Sequence, residues 1–267
     1  MKGLRRSIEF FKGFLHEAED PQAFYTFLAE DTTDEVRRYA QVPGSVVLDV
    51  GGASGYVGEA FLDAGARALT VEYDPAQANE HGRSLVLGII GDGCALPIAT
   101  GSIDITYTSN VLEHVVQWPS MLEEMERVTV PGGLLYVTFT NWLSPWGGHE
   151  TSPWHYLGGD RAARRFERRT GQPPKNHFGT SLFKLSISDV LEWCQNAPGL
   201  EVLDVYPRYY PRWTKPIVHI PGVREVLTWN VVIVMRRTGL SEPLRPAGSG
   251  RCRQATRDAM KEDRCVA

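Results

Sequence analysis

The segment Val46-Val47-Leu48-Asp49-Val50-Gly51-Gly52-Ala53-Ser54-Gly55 constrains this chain more than any other. A short β-branched run ends in an acid and breaks at once into glycines. Behind it, Tyr56 to Ala64 carries Val57, Ala60, Phe61 and Ala64 at helical spacing. This order predicts the strand, tight turn and helix of a nucleotide-binding α/β unit. The glycines let the backbone approach a ligand closely and adopt positive φ. The helix that follows offers free N–H groups at its start. The dinucleotide fingerprint would read G-x-G-x-x-G, whereas here Gly51-Gly52 is followed by Gly55 and Gly58, with Asp49 two residues before the first glycine. A pyrophosphate gains little from a carboxylate at that place, but a cationic ligand does.

The same rhythm continues. Ala68-Leu69-Thr70-Val71-Glu72 is a second apolar run ending in an acid, 23 residues after Asp49. An acid there is placed to accept ribose hydroxyls. In Glu72-Tyr73-Asp74-Pro75, Asp74 reads as a helix N-cap with Pro75 at the first helical position. Leu87 to Ile90 then leads into Gly91-Asp92-Gly93-Cys94-Ala95-Leu96-Pro97. Ser102 to Ser109 reads as a fourth strand, with Asn110-Val111-Leu112-Glu113-His114-Val115 as its exit loop. Met121 to Val128 has helical periodicity, Pro131-Gly132-Gly133 is a hard turn, and Leu134 to Phe139 is a fifth strand.

Five ordered segments within residues 45–140 carry a resemblance to the class I S-adenosylmethionine-dependent methyltransferases, in the branch called methyltransferase domain 11. D-V-G-G-A-S-G resembles D-x-G-x-G-x-G and departs from it at Gly52-Ala53. Glu72 to Pro75 is similar to E-x-D-P, and Gly91 to Pro97 to G-D-x-x-x-L-P. The segment 103–115 is similar to F-D followed at a distance by L-E-H-V, with Ile103 in place of phenylalanine. Leu122 to Gly133 is similar to L-x-E-x-x-R-V-x-x-P-G-G. The resemblance implies S-adenosylmethionine as cofactor. Asp49 with the Gly51, Gly52 and Gly55 loop would hold its amino-acid end. Glu72, beside Tyr73, would take the ribose, and Asp92, Gly93 and Cys94 would surround the adenine. Asn110 would stand at the fourth-strand exit. The implied fold is a Rossmann-like seven-stranded, mostly parallel sheet with helices on both faces.

At 267 residues the chain can bury a full core. Its charge and hydrophobic fractions are those of an ordinary globular protein. A net charge of −4 gives no reason to expect a nucleic-acid partner. Cys94, Cys194, Cys252 and Cys265 form no C-x-x-C, and no His/Cys group has zinc spacing, so no metal is expected. The phenylalanines of 10–14 are interrupted by Lys12 and Gly13, which argues against a signal peptide. No apolar run reaches transmembrane length. A cytoplasmic protein is expected, with a peripheral membrane contact left open.

Residues 1–42 read as an N-terminal helical cap whose apolar positions are Ile8, Phe11, Leu15, Phe24, Phe27 and Leu28. They either pack on the sheet or cover the cofactor. Residues 43–140 are the cofactor-binding core. Residues 141–185 break the rhythm and are too long for an ordinary connector, so they are expected to form an acceptor-binding lid inserted after strand 5. Residues 186–238 supply a helix and two closing strands, and 239–267 are a Gly/Pro- and charge-rich tail expected to be disordered.

The lid opens with Trp142, Trp146, Trp154, Tyr156, His149, Glu150 and His155 within 16 residues. Aromatic faces beside hydrogen-bonding groups suit a sugar or aromatic acceptor. They equally suit a small lid core. Methyl transfer is largely a matter of positioning, but a hydroxyl acceptor benefits from a general base. His149 and His155 are candidates, with Glu150 as base or orienter and His114 near the same place. His177 would line the mouth. Arg161, Arg164, Arg165, Arg168 and Arg169 fall on one helix face. That face is either solvated or turned to an anionic acceptor or membrane surface.

The sequence therefore points to O-methylation of a hydroxyl on a small molecule, sugar or glycolipid. N- or C-methylation fits the cofactor half equally well. A nicotinamide oxidoreductase would need G-x-G-x-x-G, which is absent. A non-catalytic cofactor-binding or scaffold protein on the same fold stays open, as does the oligomeric state.

Overall fold

In the computed structural model of the protein, residues 3–17, 19–52, 55–79 and 87–239 are described. The expectation of a disordered tail therefore lies almost wholly outside the described residues, as do Ala53 and Ser54 of the glycine loop. Seven strands form one sheet: β1 (Val46–Val50), β2 (Arg67–Glu72), β3 (Leu87–Ile90), β4 (Ile103–Ser109), β5 (Thr129–Thr140), β6 (Leu200–Pro207) and β7 (Asn230–Arg237). The spatial order is β3-β2-β1-β4-β5-β7-β6, with β7 antiparallel to both of its neighbours and the other pairings parallel. This is the Rossmann-like sheet that the apolar runs imply. Val47, Leu48, Asp49 and Val50 are all buried, because a central parallel strand is covered on both faces.

The two faces have separate cores. On one, Leu48, Val50, Val137, Phe139 and Ile233 meet Leu122, Met125 and Val128 of α5 (Trp118–Val128) and Ile187, Val190 and Cys194 of α7 (Ile187–Asn196). On the other, Val47, Ile105, Tyr107, Tyr136 and Val232 meet Val36 of α2 (Pro21–Val36) and Phe61 of α3 (Tyr56–Asp63). Alternate strand residues supply opposite faces, as the pleat requires. The remaining helices are α1 (Leu4–Leu15), α4 (Pro75–Asn79), α6 (Gly159–Thr170) and α8 (Val223–Leu227).

Pro131-Gly132-Gly133 does not end an element. Ile103 pairs with Thr129 and Ile105 with Leu134, so the intervening residues form a bulge inside β5. Gly132 adopts φ 81°, and a Cβ on Gly133 would come within 2.9 Å of the Asp104 and Val130 carbonyls. The strand thus starts five residues earlier than its apolar run.

The N-terminal helix is turned relative to expectation. Its buried face carries Arg6 and Phe10, while Leu4, Ile8, Phe11 and Leu15 are exposed at 44–61%. Phe10, Phe24, Leu28, Tyr209 and Trp229 form a third core, joined by Phe14, Phe27 and Trp146. Arg6 bonds Asp31 in α2 and the Arg208 carbonyl, and these two bonds fix its side inward.

Arg208, 1% exposed, ties four elements together. Its guanidinium donates to Ser109 Oγ at 2.7 Å, Thr138 Oγ1 at 2.9 Å, Thr32 Oγ1 at 2.7 Å and Tyr107 Oη at 3.3 Å. Truncating it leaves several buried hydroxyls without their donor. Arg208→Ala is expected to cost about 3–5 kcal/mol of stability in urea unfolding, whereas an exposed change such as Arg169→Ala stays within about 0.5 kcal/mol.

Candidate active site

Ligands of open α/β sheets bind at the carboxyl ends of the strands, where the order reverses. Here that place is the edge shared by β1, β2 and β4. Gly51 leaves β1 with φ 81°, its N–H donating to the Val71 carbonyl at 2.8 Å, and a side chain on it would overlap Val111. A Cβ on Gly52 would overlap the Asp49 carboxylate, so only glycine lets the loop lie across that acid. Gly55, at φ 72°, bonds back to the Gly52 carbonyl at 2.7 Å and starts α3.

Asp49 is 3% exposed, and Glu72, at the end of the next strand, is also buried. Burial, reinforced by Glu72, pushes the Asp49 carboxyl up to about 7. Among the described residues no basic side chain pairs with either acid. Glu72 Oε1 accepts the Asp74 N–H at 3.0 Å, and Asp74 caps α4 by accepting the Ala76 N–H at 2.8 Å. Tyr73 stands exposed beside them. Asp92 folds its own loop, Oδ1 accepting the Cys94 N–H at 2.8 Å, and the Gly93 backbone lies close over Val50.

This arrangement is short of positive charge. Two carboxylates are buried at the ends of adjacent strands, beside a turn with no room for side chains at Gly51 and Gly52. A ligand carrying ammonium and sulfonium charge at one end and ribose hydroxyls further along supplies what is missing. S-adenosylmethionine has that charge pattern, so these residues fit it.

A second group lies at the ends of β4 and β5. Asn110 adopts φ 54°, unusual for a residue other than glycine. Its Oδ1 accepts from Asn230 Nδ2 at 2.7 Å and from Thr140 Oγ1 at 3.3 Å. Beyond it, Glu113 is 1% exposed, with Oε1 accepting the Thr140 N–H at 3.0 Å and Oε2 buried without a partner. Burial raises its carboxyl pKa. His114 Nδ1 donates to the Ser181 carbonyl, and its ring meets that of His149 edge-on at 5.1 Å. His149 sits at φ 49° in a 3₁₀ turn (His149–Thr151), with Nε2 buried and unpartnered. Burial, then the neighbouring His114, lowers its pKa to about 4, so the ring is neutral near pH 7.

The remaining residues expected in the lid are dispersed. Glu150 is exposed and accepts two hydrogen bonds from the Asn176 side chain. His155 is buried behind Trp142, beside Gly148, which has no room for a Cβ against its ring. Trp142 also packs on Phe178 at 4.7 Å. Trp146 stacks on Trp229 at 4.3 Å within the third core. Trp154 lies under the Arg165 guanidinium at 3.9 Å, Tyr156 Oη donates to the Leu143 carbonyl, and His177 is exposed. His114 and His149 thus come together with Glu113, while Glu150 and His155 lie near enough to act on the His149 ring electrostatically but make their own contacts elsewhere. Sequence reasoning missed Glu113 as a member of this group. In the sequence Glu113 is only part of the L-E-H-V resemblance, and its inward direction depends on Thr140 at the end of another strand. A hollow of about 540 Å³ between α2 and α3, bordered by Thr26, Glu30 and Asp34, belongs to the helix layer rather than the strand edge.

Strand order, glycine loop and paired acids define a class I S-adenosylmethionine-dependent methyltransferase. The model of the methyltransferase domain matches residues 48–137. A methyltransferase of Mycolicibacterium gilvum is 44% identical over 246 residues, covering 88% of this chain and 95% of its own. One from Mycobacteroides abscessus is likewise 44% identical, covering 87% and 94%. The chain belongs to this family of methyltransferases. The S-adenosylmethionine-dependent methyltransferase of Mesorhizobium loti shares its fold at TM-score 0.53 and 14% identity, over 78% of this chain and 98% of that one.

The raised pKa of Asp49 has two measurable consequences. A carboxyl whose folded pKa exceeds its unfolded value makes folding take up a proton. Its cost to stability therefore grows as pH rises from about 4 to about 7 and is fully present above that. Asp49→Asn is expected to stabilise the ligand-free protein by about 2 kcal/mol near pH 8 in thermal unfolding, while reducing S-adenosylmethionine affinity at least about a hundredfold. In the wild type, calorimetric affinity falls by up to about tenfold per unit as pH drops below about 7, because the bound cation needs the ionised acid.

Proposed function

We propose that the protein transfers the methyl group to a hydroxyl of a small molecule, sugar or glycolipid, and that the acceptor oxygen sits against Glu113, His114 and His149. The observation that carries this reading is the pair of buried, unpartnered acceptor atoms, Glu113 Oε2 and His149 Nε2, at the strand edge beside the cofactor residues. Such atoms are costly unless something donates to them. A hydroxyl is such a donor.

The residues take distinct parts. Asp49, Gly51, Gly52 and Gly55 hold the amino-acid end of the cofactor, Glu72 with Tyr73 the ribose, and Asp92, Gly93 and Cys94 the adenine. When bound, S-adenosylmethionine supplies an electrophilic methyl carbon on sulfur. Glu113, His114 and His149 would hold the acceptor oxygen towards that carbon, Glu113 Oε2 and His149 Nε2 being placed to accept the hydrogen bond of its hydroxyl. Asn110, held in its left-handed conformation, fixes the floor between the two regions. Residues 141–185 act as the lid. Its backbone is pinned to the site by Ser181 on His114 and by the Phe183 N–H on the Glu113 carbonyl at 2.9 Å.

A glycolipid acceptor is favoured over a soluble sugar by the surface. Leu4, Ile8, Phe11 and Leu15 make an exposed stripe along α1, flanked by Arg5 and Lys12. The arginines of α6 are exposed as well. An amphipathic helix with a basic flank suits an anionic bilayer surface. No helix among the described residues is long and apolar enough to cross a membrane.

Two measurements test this. With a panel of hydroxyl acceptors and S-adenosylmethionine, His149→Ala is expected to lower turnover by about 10²–10⁴-fold while leaving cofactor affinity within about twofold; undiminished turnover removes the cluster from the chemistry. In vesicle flotation, the protein is expected to bind anionic phospholipid vesicles, with Phe11→Glu weakening binding at least about fivefold. Failure of the wild type to float returns the acceptor to the soluble sugars and metabolites.

A further inference from the structure

The Glu113, His114 and His149 side chains converge on one place beyond the ends of β4 and β5. One ligand-capable atom from each of the three side chains lies within 4.8 Å of the others. Donor atoms in a formed site at about 2.0–2.2 Å from the ion stand roughly 3–4 Å apart, so modest side-chain rotation closes the gap.

The detailed partners point the same way. A carbonyl can only accept, so the Ser181 carbonyl places the proton of His114 on Nδ1 and leaves the Nε2 lone pair free. That is the arrangement in which histidines are held for metal ligation, the second ring nitrogen anchored by a carbonyl or carboxylate. Glu113 is anchored in the same manner, Oε1 on the Thr140 N–H and Oε2 free. His149 Nε2 is buried and free, on a turn held at positive φ. Three side chains, from two segments 35 residues apart, thus converge with one lone pair each.

We propose that Glu113, His114 and His149 bind a divalent first-row transition-metal ion, of the zinc or manganese–iron–cobalt kind. Two imidazoles and one carboxylate are the donor set of catalytic sites that keep positions open for substrate. The open positions take an oxygen of the acceptor, a part of the inference that rests on the O-methylation reading. A hydroxyl bound there loses its proton to solvent more readily, as metal-bound water does.

The test uses full-length, tag-free protein with Cys252 and Cys265 replaced by serine, so that tail thiols bind nothing. Chelator-stripped protein is dialysed against Co²⁺ or Zn²⁺ with neither cofactor nor acceptor present, and bound metal is counted by emission spectroscopy. One ion per chain is expected. His149→Ala and Glu113→Gln are each expected to weaken binding by at least about a hundredfold, and His177→Ala to leave it unchanged. S-adenosylmethionine affinity within about twofold of wild type verifies that each variant is folded. Substoichiometric binding to the parent chain, or undiminished binding by folded His149→Ala, overturns the site. Methyl transfer is not read in this experiment, so its failure leaves the O-methylation reading standing. Stoichiometric metal binding by a protein inactive on every hydroxyl acceptor would sink that reading instead.

Discussion

Five parallel strands sharing one carboxyl edge set the terms for everything else in this molecule. Parallel pairs are stable only when both faces are covered. That requirement places α2 and α3 on one side and α5 and α7 on the other, and sends each crossover to the same hand. It leaves the strand ends as the one edge where loops carry side chains that the core does not claim. Asp49, Glu72, Asn110 and Glu113 all stand there because each follows an apolar run that had to be buried.

The edge holds charge at a cost to the fold. Among the described residues Asp49 and Glu72 are buried without a paired cation, and Glu113 and His149 keep atoms with no partner. Such groups are tolerated because rigid neighbours over-determine them. Gly51 and Gly52 give the loop a path that no other residue fits, and the bulge in β5 lets Leu134 resume its pairing with β4. Two buried charged groups elsewhere are well supplied with hydrogen bonds. Arg208 spends its hydrogen bonds on four hydroxyls, and Glu225 caps the start of α7 by accepting from the Ile187 and Ser188 N–H groups at 2.9 Å. The contrast separates groups that hold the fold from groups left available for a ligand.

Much of the cofactor half was legible in the sequence because it is local. Gly51, Gly52 and Gly55 are needed by a turn of a few residues, and Asp49, Glu72 and Asp92 lie at or just past the ends of their own strands. Short-range rules of periodicity and turn chemistry suffice for such features. The lid was less legible. Its aromatics were expected around an acceptor, yet Trp146 faces Trp229 and Trp142 faces Phe178 and His155. An aromatic run says that rings will be buried, but not against what. The same limit applied to α1, where two periodic stripes competed. The pairing of Arg6 with Asp31, 25 residues away, decided which one turned inward.

The sequence by itself determined the strand–loop–helix units, the acids at their ends and hence the class of cofactor, since each is written within ten or so neighbouring residues. Only the tertiary structure decided that Glu113, His114 and His149 share one place, that Glu150 bonds outward to Asn176, and that Arg208 is buried among hydroxyls. The physical reason is distance along the chain. Glu113 takes its direction from Thr140, His114 from Ser181, and Arg208 from Thr32, Ser109 and Thr138. No local pattern specifies such partners. They come together only when the sheet has formed and its edge has gathered the loops.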